Sequence, residues 1–284
     1  AVMMVRQMFA DPYWPKKAME GRDEDIVPCI RCLYCYHIST VHDNTQCSVN
    51  PRYRRENRVP LKLPKAEKVK RVVIIGGGPA GLKAALTADE RGHKVILLEK
   101  ESRLGGMINV SDHGRYKKDL KEYRDYLLRQ IKKSHVDVRL NTLATYEMVK
   151  NLLPDTLIIA IGGELVVPPI KGIDKAIHVV EAMKYKEIEE GTLVVLGAGA
   201  IGAEYALEKA EDHPNLKVVL IDKKDTVSAN ENWLYRIAQR QHMRKCKNLE
   251  ILLNCECTEI LDNGIKITYS NGDTGFINAD KITY

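Results

Sequence analysis

From residue 71 onward, short apolar runs alternate with amphipathic stretches, and their order predicts a chain of β-α-β units. Residues 71–75 form a β-branched run. A glycine turn follows, then an alanine-rich stretch that reads as a helix to about Arg91 and is closed by Gly92, and then a second strand at 95–99. Strands that are apolar throughout, rather than alternating, suit a parallel sheet buried on both faces. Leu120, Tyr123, Leu127 and Ile131 recur at helical spacing with lysines on the other side, which predicts a surface helix. Residues 136–140 and 157–161 read as the third and fourth strands.

The pattern then restarts. A strand at 193–196, a helix through 203–210 and a strand at 217–222 repeat the first unit. A further apolar stretch carries Cys255 and Cys257 in one apparent strand, pointing to one side as packing residues. After it, short alternating strands surround an Asn271-Gly272 pair, a hairpin signal. Another strand begins in residues 279–284, so the second unit reads as unfinished. Ahead of residue 71 there is no such alternation. A short helix near residues 3–9 stops at Asp11-Pro12, a charged stretch runs to Asp25, and residues 51–70 form a basic linker punctuated by Pro51, Pro60 and Pro64.

Each restart carries a glycine-rich turn between strand and helix. The first is Gly76-Gly77-Gly78-Pro79-Ala80-Gly81, the second Gly197-Ala198-Gly199-Ala200-Ile201-Gly202. An acidic residue ends the next strand in both, Glu99 and Asp222. In this context the glycines have separate tasks. Gly76 and Gly197 allow the tight turn, Gly78 and Gly199 let backbone approach a pyrophosphate, and Gly81 and Gly202 permit close helix–strand packing. The helix N-terminus offers unpaired N–H groups to the anion, and the carboxylate accepts hydrogen bonds from a ribose diol. At the second site, Asp222 favours NAD over NADP, although Lys223 and Lys224 weaken that selection.

Composition narrows the class. The chain has 284 residues, 44% hydrophobic and 29% charged, which suits two globular domains with ordinary cores. No apolar run approaches the length that spans a bilayer. The N-terminal stretch is short and interrupted by Arg6, so it does not read as a signal peptide, and a cytoplasmic location is expected. The formal charge is +6, with much of the excess between Arg52 and Arg71. That stretch has no aromatic interleaving beyond Tyr53 and no nucleic-acid motif, so it reads as a solvated linker. An anionic cofactor or an acidic neighbouring domain is the other occupant it would suit.

Four of the seven cysteines cluster at Cys29, Cys32, Cys35 and Cys47. An odd total with one tight group is unlike a secreted disulfide framework and points to a metal centre in a reducing compartment. Zinc sites usually pair two separated knuckles, whereas closely packed cysteines with one more at a distance are nearer to iron–sulfur ligation. His37 and His42 lie nearby as surface or outer groups.

At this point the residues carry a resemblance. The run Leu97-Leu98-Glu99-Lys100-Glu101-Ser102-Arg103-Leu104-Gly105-Gly106 resembles the FAD-binding domain of two-dinucleotide-binding flavoproteins. There the acidic residue meets the adenosine ribose, and the Gly-Gly turn lies near the flavin diphosphate. The resemblance extends the FAD site to Pro79, Ala80, Lys100, Arg103, Gly105 and Gly106, and the nicotinamide site to Ala200 and Ile201. The stretch Leu157-Ile158-Ile159-Ala160-Ile161-Gly162-Gly163 is similar to the segment ending the first FAD half, which places Gly162 near the cofactor.

The front of the chain, Val5-Arg6-Gln7-Met8-Phe9-Ala10-Asp11-Pro12 with the cysteines and Cys47-Ser48-Val49-Asn50-Pro51, resembles the family of 2,4-dienoyl-CoA reductase, trimethylamine dehydrogenase and the clostridial 2-enoate reductases. Those proteins carry an FMN-binding (β/α)8 barrel, a [4Fe-4S] cluster, and FAD and NAD(P) domains. The resemblance implies an α/β fold with two Rossmann-like units, the FAD domain interrupted by the NAD(P) domain and incomplete at the C-terminus. Residues 1–28 would be the tail of a missing barrel, 29–70 the [4Fe-4S] segment and linker, 71–170 the FAD domain and 171–284 a truncated NAD(P) domain. Arg6 matches an arginine that helps hold the FMN phosphate. The implied function is electron relay from NAD(P)H through FAD and the cluster to FMN, with reduction of an activated C=C bond in a 2-enoate or acyl-CoA. The substrate-site and proton-donor residues would lie in the barrel, so none is named in this chain. The barrel and a possible second copy of the chain are the expected protein partners, with neither nucleic acid nor membrane. Amine dehydrogenation and a module like the small subunit of glutamate synthase are the alternatives.

Overall fold

The computed structural model describes residues 3–41, 45–111, 115–184 and 188–284. The chain divides into two compact units, Ala1–Gly163 and Glu164–Tyr284.

In the first unit, β1 (Arg71–Ile75), β2 (Lys94–Leu98), β3 (Asp137–Arg139) and β4 (Thr156–Ile159) form a sheet in the order β3-β2-β1-β4. All its pairings are parallel. Before this sheet come α1 (Arg6–Ala10), α2 (Trp14–Met19) and α3 (Tyr34–Val41), and between its strands lie α4 (Pro79–Glu90), α5 (Ile108–Ser111), α6 (Lys118–Lys133) and α7 (Tyr146–Asn151). Val72, Ile74, Leu82, Leu97, Leu127 and Ile131 share one buried cluster. Sheet and helices cover each other there, which is why β1 and β2 are apolar on both sides. The helical spacing in α6 buries Tyr123, Leu127 and Ile131 as expected.

The described residues ahead of β1 are not a separate appendage. Ala10 and Val49 lie in that same cluster, with Val27, Cys29, Ile30 and Cys47 packed on it. The charged N-terminal stretch is fastened by buried ionic contacts. Asp11 is almost fully buried and accepts from Lys17 Nζ at 2.6 Å, from the Tyr13 N–H and from the Val27 N–H. A buried carboxylate needs such a full set of donors.

The second unit repeats the parallel arrangement. It contains α8 (Val179–Ala182), β5 (Gly191–Leu196), α9 (Ala200–Asp212), β6 (Leu216–Asp222), α10 (Trp233–Met243) and β7 (Leu249–Leu253). Then come β8 (Cys255–Leu261), β9 (Gly264–Tyr269), β10 (Thr274–Asn278) and β11 (Lys281–Thr283). One sheet runs β11-β5-β6-β7, and a three-stranded sheet runs β10-β9-β8 with antiparallel pairing.

The apparent single strand around Cys255 is in fact two. Asn254 takes a left-handed conformation, φ 53°, which asparagine tolerates better than most residues. It sends β7 into one sheet and β8 into the other. Cys255 and Cys257 are both buried in the core under β8. The expected boundary at 170/171 also falls earlier, after Gly163, because Ile170 and Ile173 already pack on the second core.

Glu259 on β8 accepts from Lys171 Nζ at 2.5 Å and from Lys266 Nζ at 2.7 Å. These two ammonium groups hold its carboxyl down at about 2. A pKa depressed in the fold stabilises above the unfolded value near 4.5 and is lost as pH falls toward 2. Acid unfolding of a Glu259→Gln variant, followed by circular dichroism, should therefore be less steep than that of the parent between about pH 4.5 and 2.

Candidate functional site

The first glycine turn is built by exclusion of side chains. Gly76, with φ +103°, leaves β1 so close to β4 that a Cβ would sit 2.3 Å from the Ala160 carbonyl oxygen. Gly81 lies in the first turn of α4, where a Cβ would sit 1.8 Å from the Gly76 oxygen. Gly78 is the extended N-cap of α4 and has no side chain to cap it. Pro79 opens the helix at a position where its missing N–H is no loss. The remaining first-turn N–H groups are left facing outward for an anion.

Glu99 follows β2 and is 6% exposed. Its carboxylate accepts from the Gly77 N–H at 2.6 Å and from the Glu101 N–H at 2.8 Å, latching the strand end to the turn. The second glycine pair lies directly against this turn. The Gly105 N–H donates to the Gly77 oxygen at 2.9 Å, and a Cβ on Gly106 would be 2.8 Å from the Gly78 Cα. Lys100, Arg103 and Ala80 are exposed around it. Gly162 lies beyond the end of β4 in open surroundings, with φ +77°. The sequence reading gave Gly77 no task of its own. Its Cβ would meet Leu104 at 2.4 Å and the Glu99 carboxylate at 3.0 Å, so this turn needs the extra glycine.

The second turn repeats the construction. Gly197 has φ +98° and donates its N–H to the Ile221 oxygen. Gly199 is the uncapped start of α9, and a Cβ on Gly202 would sit 2.0 Å from the Gly197 oxygen. Asp222 accepts from the Ala198 N–H at 2.6 Å and from the Lys224 N–H at 2.8 Å, the same latch as Glu99. Ala200 is half-buried and Ile201 exposed in the first turn of α9.

The four clustered cysteines occupy a loop that bends sharply. Arg31 and Leu33 both take left-handed conformations, φ 50° and 56°, and α3 starts at Tyr34, so Cys35 sits in its first turn. None of the seven cysteines is joined in a disulfide. Burial pushes the Cys35 thiol up, and the neighbouring Cys32, Cys47 and Cys29 add to the rise while the Tyr36 N–H opposes it. Burial also raises Cys47, against the Val49 and Asn50 N–H groups and with Cys32 and Cys29 adding to it. The four sulfurs thus lie within one another's field, and backbone donors face two of them. Tyr123 on α6 is pushed up to about 12 by burial and by the nearby Cys47.

Four soft, closely grouped donors, two of them with N–H groups on their sulfurs, fit an iron–sulfur centre. Among the described residues, no three His, Cys, Asp or Glu side chains are arranged to hold a metal ion as they stand, so the fit rests on the donor set and the loop. His37 is half-buried beside Cys35, and His42 lies outside the described residues. The sequence reading also missed Gln7, whose side chain accepts from the Cys29 N–H, and Arg31, paired with Asp119 of α6 at 3.4 Å. Neither carries a local sequence signal. Arg6 is exposed at the start of α1.

Residues 70–284 match the family model described as pyridine nucleotide-disulphide oxidoreductase. An NADH oxidase of Thermoanaerobacter brockii is 35% identical over 99% of this chain and 44% of its own length. A cinnamate reductase of Clostridium sporogenes is 27% identical over 98% of this chain and 42% of its own. A solved structure of 2-naphthoyl-CoA reductase with 2-naphthoyl-CoA superposes with a TM-score of 0.91 at 32% identity, covering 99% of this chain and 42% of that one. The chain therefore spans less than half the length of these relatives.

Proposed function

The chain belongs to the pyridine nucleotide-disulphide oxidoreductase family and matches the C-terminal part of the 2,4-dienoyl-CoA reductase and trimethylamine dehydrogenase flavoenzymes, and we propose that it is the electron-relay part of an NAD(P)H-dependent reductase of activated C=C bonds. The proposed order of carriers is NAD(P)H, FAD, a [4Fe-4S] cluster, and FMN in a barrel domain of a longer polypeptide. The observation that carries this reading is the packing of the cysteine loop on the same hydrophobic core as the strand and helix that flank the first glycine turn, within a chain that has a second such turn.

When bound, these groups supply hydride and one-electron chemistry that side chains cannot. The protein's own part is to bind and orient. The first turn of α4 presents N–H groups to the flavin diphosphate, and Glu99, already anchored by two backbone donors, presents its remaining lone pairs to a ribose. α9 and Asp222 do the same for the nicotinamide nucleotide. Cys29, Cys32, Cys35 and Cys47 would hold iron as thiolates. The substrate class that fits the relatives is a small unsaturated acid or its acyl-CoA ester, as the names cinnamate reductase and 2-naphthoyl-CoA reductase suggest. Among the described residues no helix is long and apolar enough to cross a membrane.

Anaerobic addition of NADH to the full-length protein should bleach its flavin, and cinnamate or an enoyl-CoA should restore the colour. If neither NADH nor NADPH bleaches it while an amine does, the amine-dehydrogenase reading replaces this one. Iron and labile sulfide should each approach about four per chain; a single zinc would refute the cluster.

Asp222 gives a further prediction. Asp222→Ala removes a ribose acceptor and the latch to Ala198, and is expected to raise the KM for NADH about tenfold, the loss of one or two hydrogen bonds to a charged group. The KM for NADPH should change less, because a repelling carboxylate is removed at the same time. Steady-state kinetics with both nucleotides tests this.

A further inference from the structure

The five-residue helix α1 touches both ends of the cysteine segment. Gln7 of α1 accepts the Cys29 N–H on its Oε1 at 3.0 Å and donates its Nε2 to the Val27 oxygen at 2.8 Å. One side chain thereby pairs with residues 27 and 29 as the peptide of a neighbouring strand would. The Val27 N–H is taken by the buried Asp11 carboxylate at 3.0 Å, so the backbone entering Cys29 is fixed on both sides. At the other end, Asn50 donates its Nδ2 to the Phe9 oxygen of α1 at 2.8 Å and accepts the Arg52 N–H at 3.0 Å. The Phe9 ring stacks on Tyr53 with centroids 4.3 Å apart. The backbone N–H of the same Asn50 faces the Cys47 sulfur.

We propose that α1 is the clamp that sets the spacing between the first and last cysteines, with Gln7 the positioning residue for Cys29 and Asn50 the positioning residue for Cys47. This rests on the reading of the four cysteines as cluster ligands. Between Cys29 and the start of α3 the chain turns through two left-handed residues, so this stretch forms no helix or strand of its own to fix where Cys29 sits. Outer contacts that orient ligands are worth tenfold or more in metal affinity. Gln7 also occupies the Cys29 N–H. When that donor is released, it is free to turn toward a cluster sulfur, and hydrogen bonds to sulfur shift the potential.

The test uses the full-length protein with its cluster and compares Gln7→Leu, Gln7→Glu and Asn50→Ala. Gln7→Leu and Asn50→Ala should release iron to a chelator about tenfold faster than the parent, with flavin content and far-ultraviolet circular dichroism unchanged. Gln7→Leu should also alter the electron paramagnetic resonance spectrum of the reduced cluster and move its midpoint potential upward. Gln7→Glu keeps the acceptor for Cys29 but loses the donor to the Val27 oxygen, so it should release iron faster than the parent, with a potential lowered by its charge. Parental release, spectrum and potential in Gln7→Leu would overturn the proposal, as would parental iron release from Asn50→Ala. A parent protein that holds zinc or no metal would instead overturn the cluster reading itself.

Discussion

A Gly81→Ala variant is expected to purify without flavin and to melt well below the parent. Its new methyl carbon would lie 1.8 Å from the Gly76 carbonyl oxygen, and neither partner has room to retreat. Gly76 is pinned by its N–H bond to the Leu98 oxygen and crowded by the Ala160 oxygen, so α4 must move outward. Overpacking against backbone costs about 3 kcal/mol or more, equivalent to about 6–12 °C in a unit of this size. The displacement also carries away the N–H groups meant for the diphosphate. Gly202→Ala meets the same obstacle at 2.0 Å from the Gly197 oxygen, but in the second unit. It should keep its flavin and lose reduction by NADH. Flavin absorbance, a thermal melt and an NADH titration read out both variants, and a flavin-replete Gly81→Ala protein with parental melting would contradict the account.

The other large effect is expected at Cys35. Replacing it by alanine leaves three thiols for a four-iron centre, and iron should fall from about four atoms per chain to below one. Metal binding of this kind contributes to folding. Because Cys29 and Cys47 pack on the first core, the loss should also speed proteolysis within residues 29–50. Cys246→Ala is the control. Cys246 is half-buried in the second unit, and its loss should leave iron and sulfide at parental levels. Metal analysis with limited digestion decides the matter, and full iron in Cys35→Ala would exclude that residue as a ligand.

The parts of the fold readable from sequence are those whose cause is local. β1, β2 and β6 are continuous apolar runs, α6 has its stripe at Tyr123, Leu127 and Ile131, and both turns carry glycines whose absence of a side chain is the whole point. What stayed hidden depends on partners far along the chain. Gln7 meets Cys29, and Asp11 meets Val27, only after folding has brought them together, so nothing in either neighbourhood marks them. The break at Asn254 was hidden for a different reason: apolar residues continue on both sides of it, from Ile251-Leu252-Leu253 to Cys255 and Cys257, and the left-handed φ marks the change of sheet. Gly77 lay inside a recognised motif, yet its necessity comes from Leu104 and Glu99 overhead, which no spacing rule reports.

The strand order of the second unit also bears on how the chain reaches its fold during synthesis. β5 emerges early, but one of its two neighbours, β11, pairs with it only after β8, β9 and β10 have been made, with Lys281 opposite Leu193. Until then β5 presents an unpaired edge, the kind of surface on which nascent chains associate. The β8–β9–β10 meander needs only nearby contacts and can form at once, whereas closure by β11 requires a contact between distant segments and is correspondingly slow. A chain arrested before β11 has paired would therefore expose one sticky flank of the β5-β6-β7 sheet, the stage at which a chaperone would matter most.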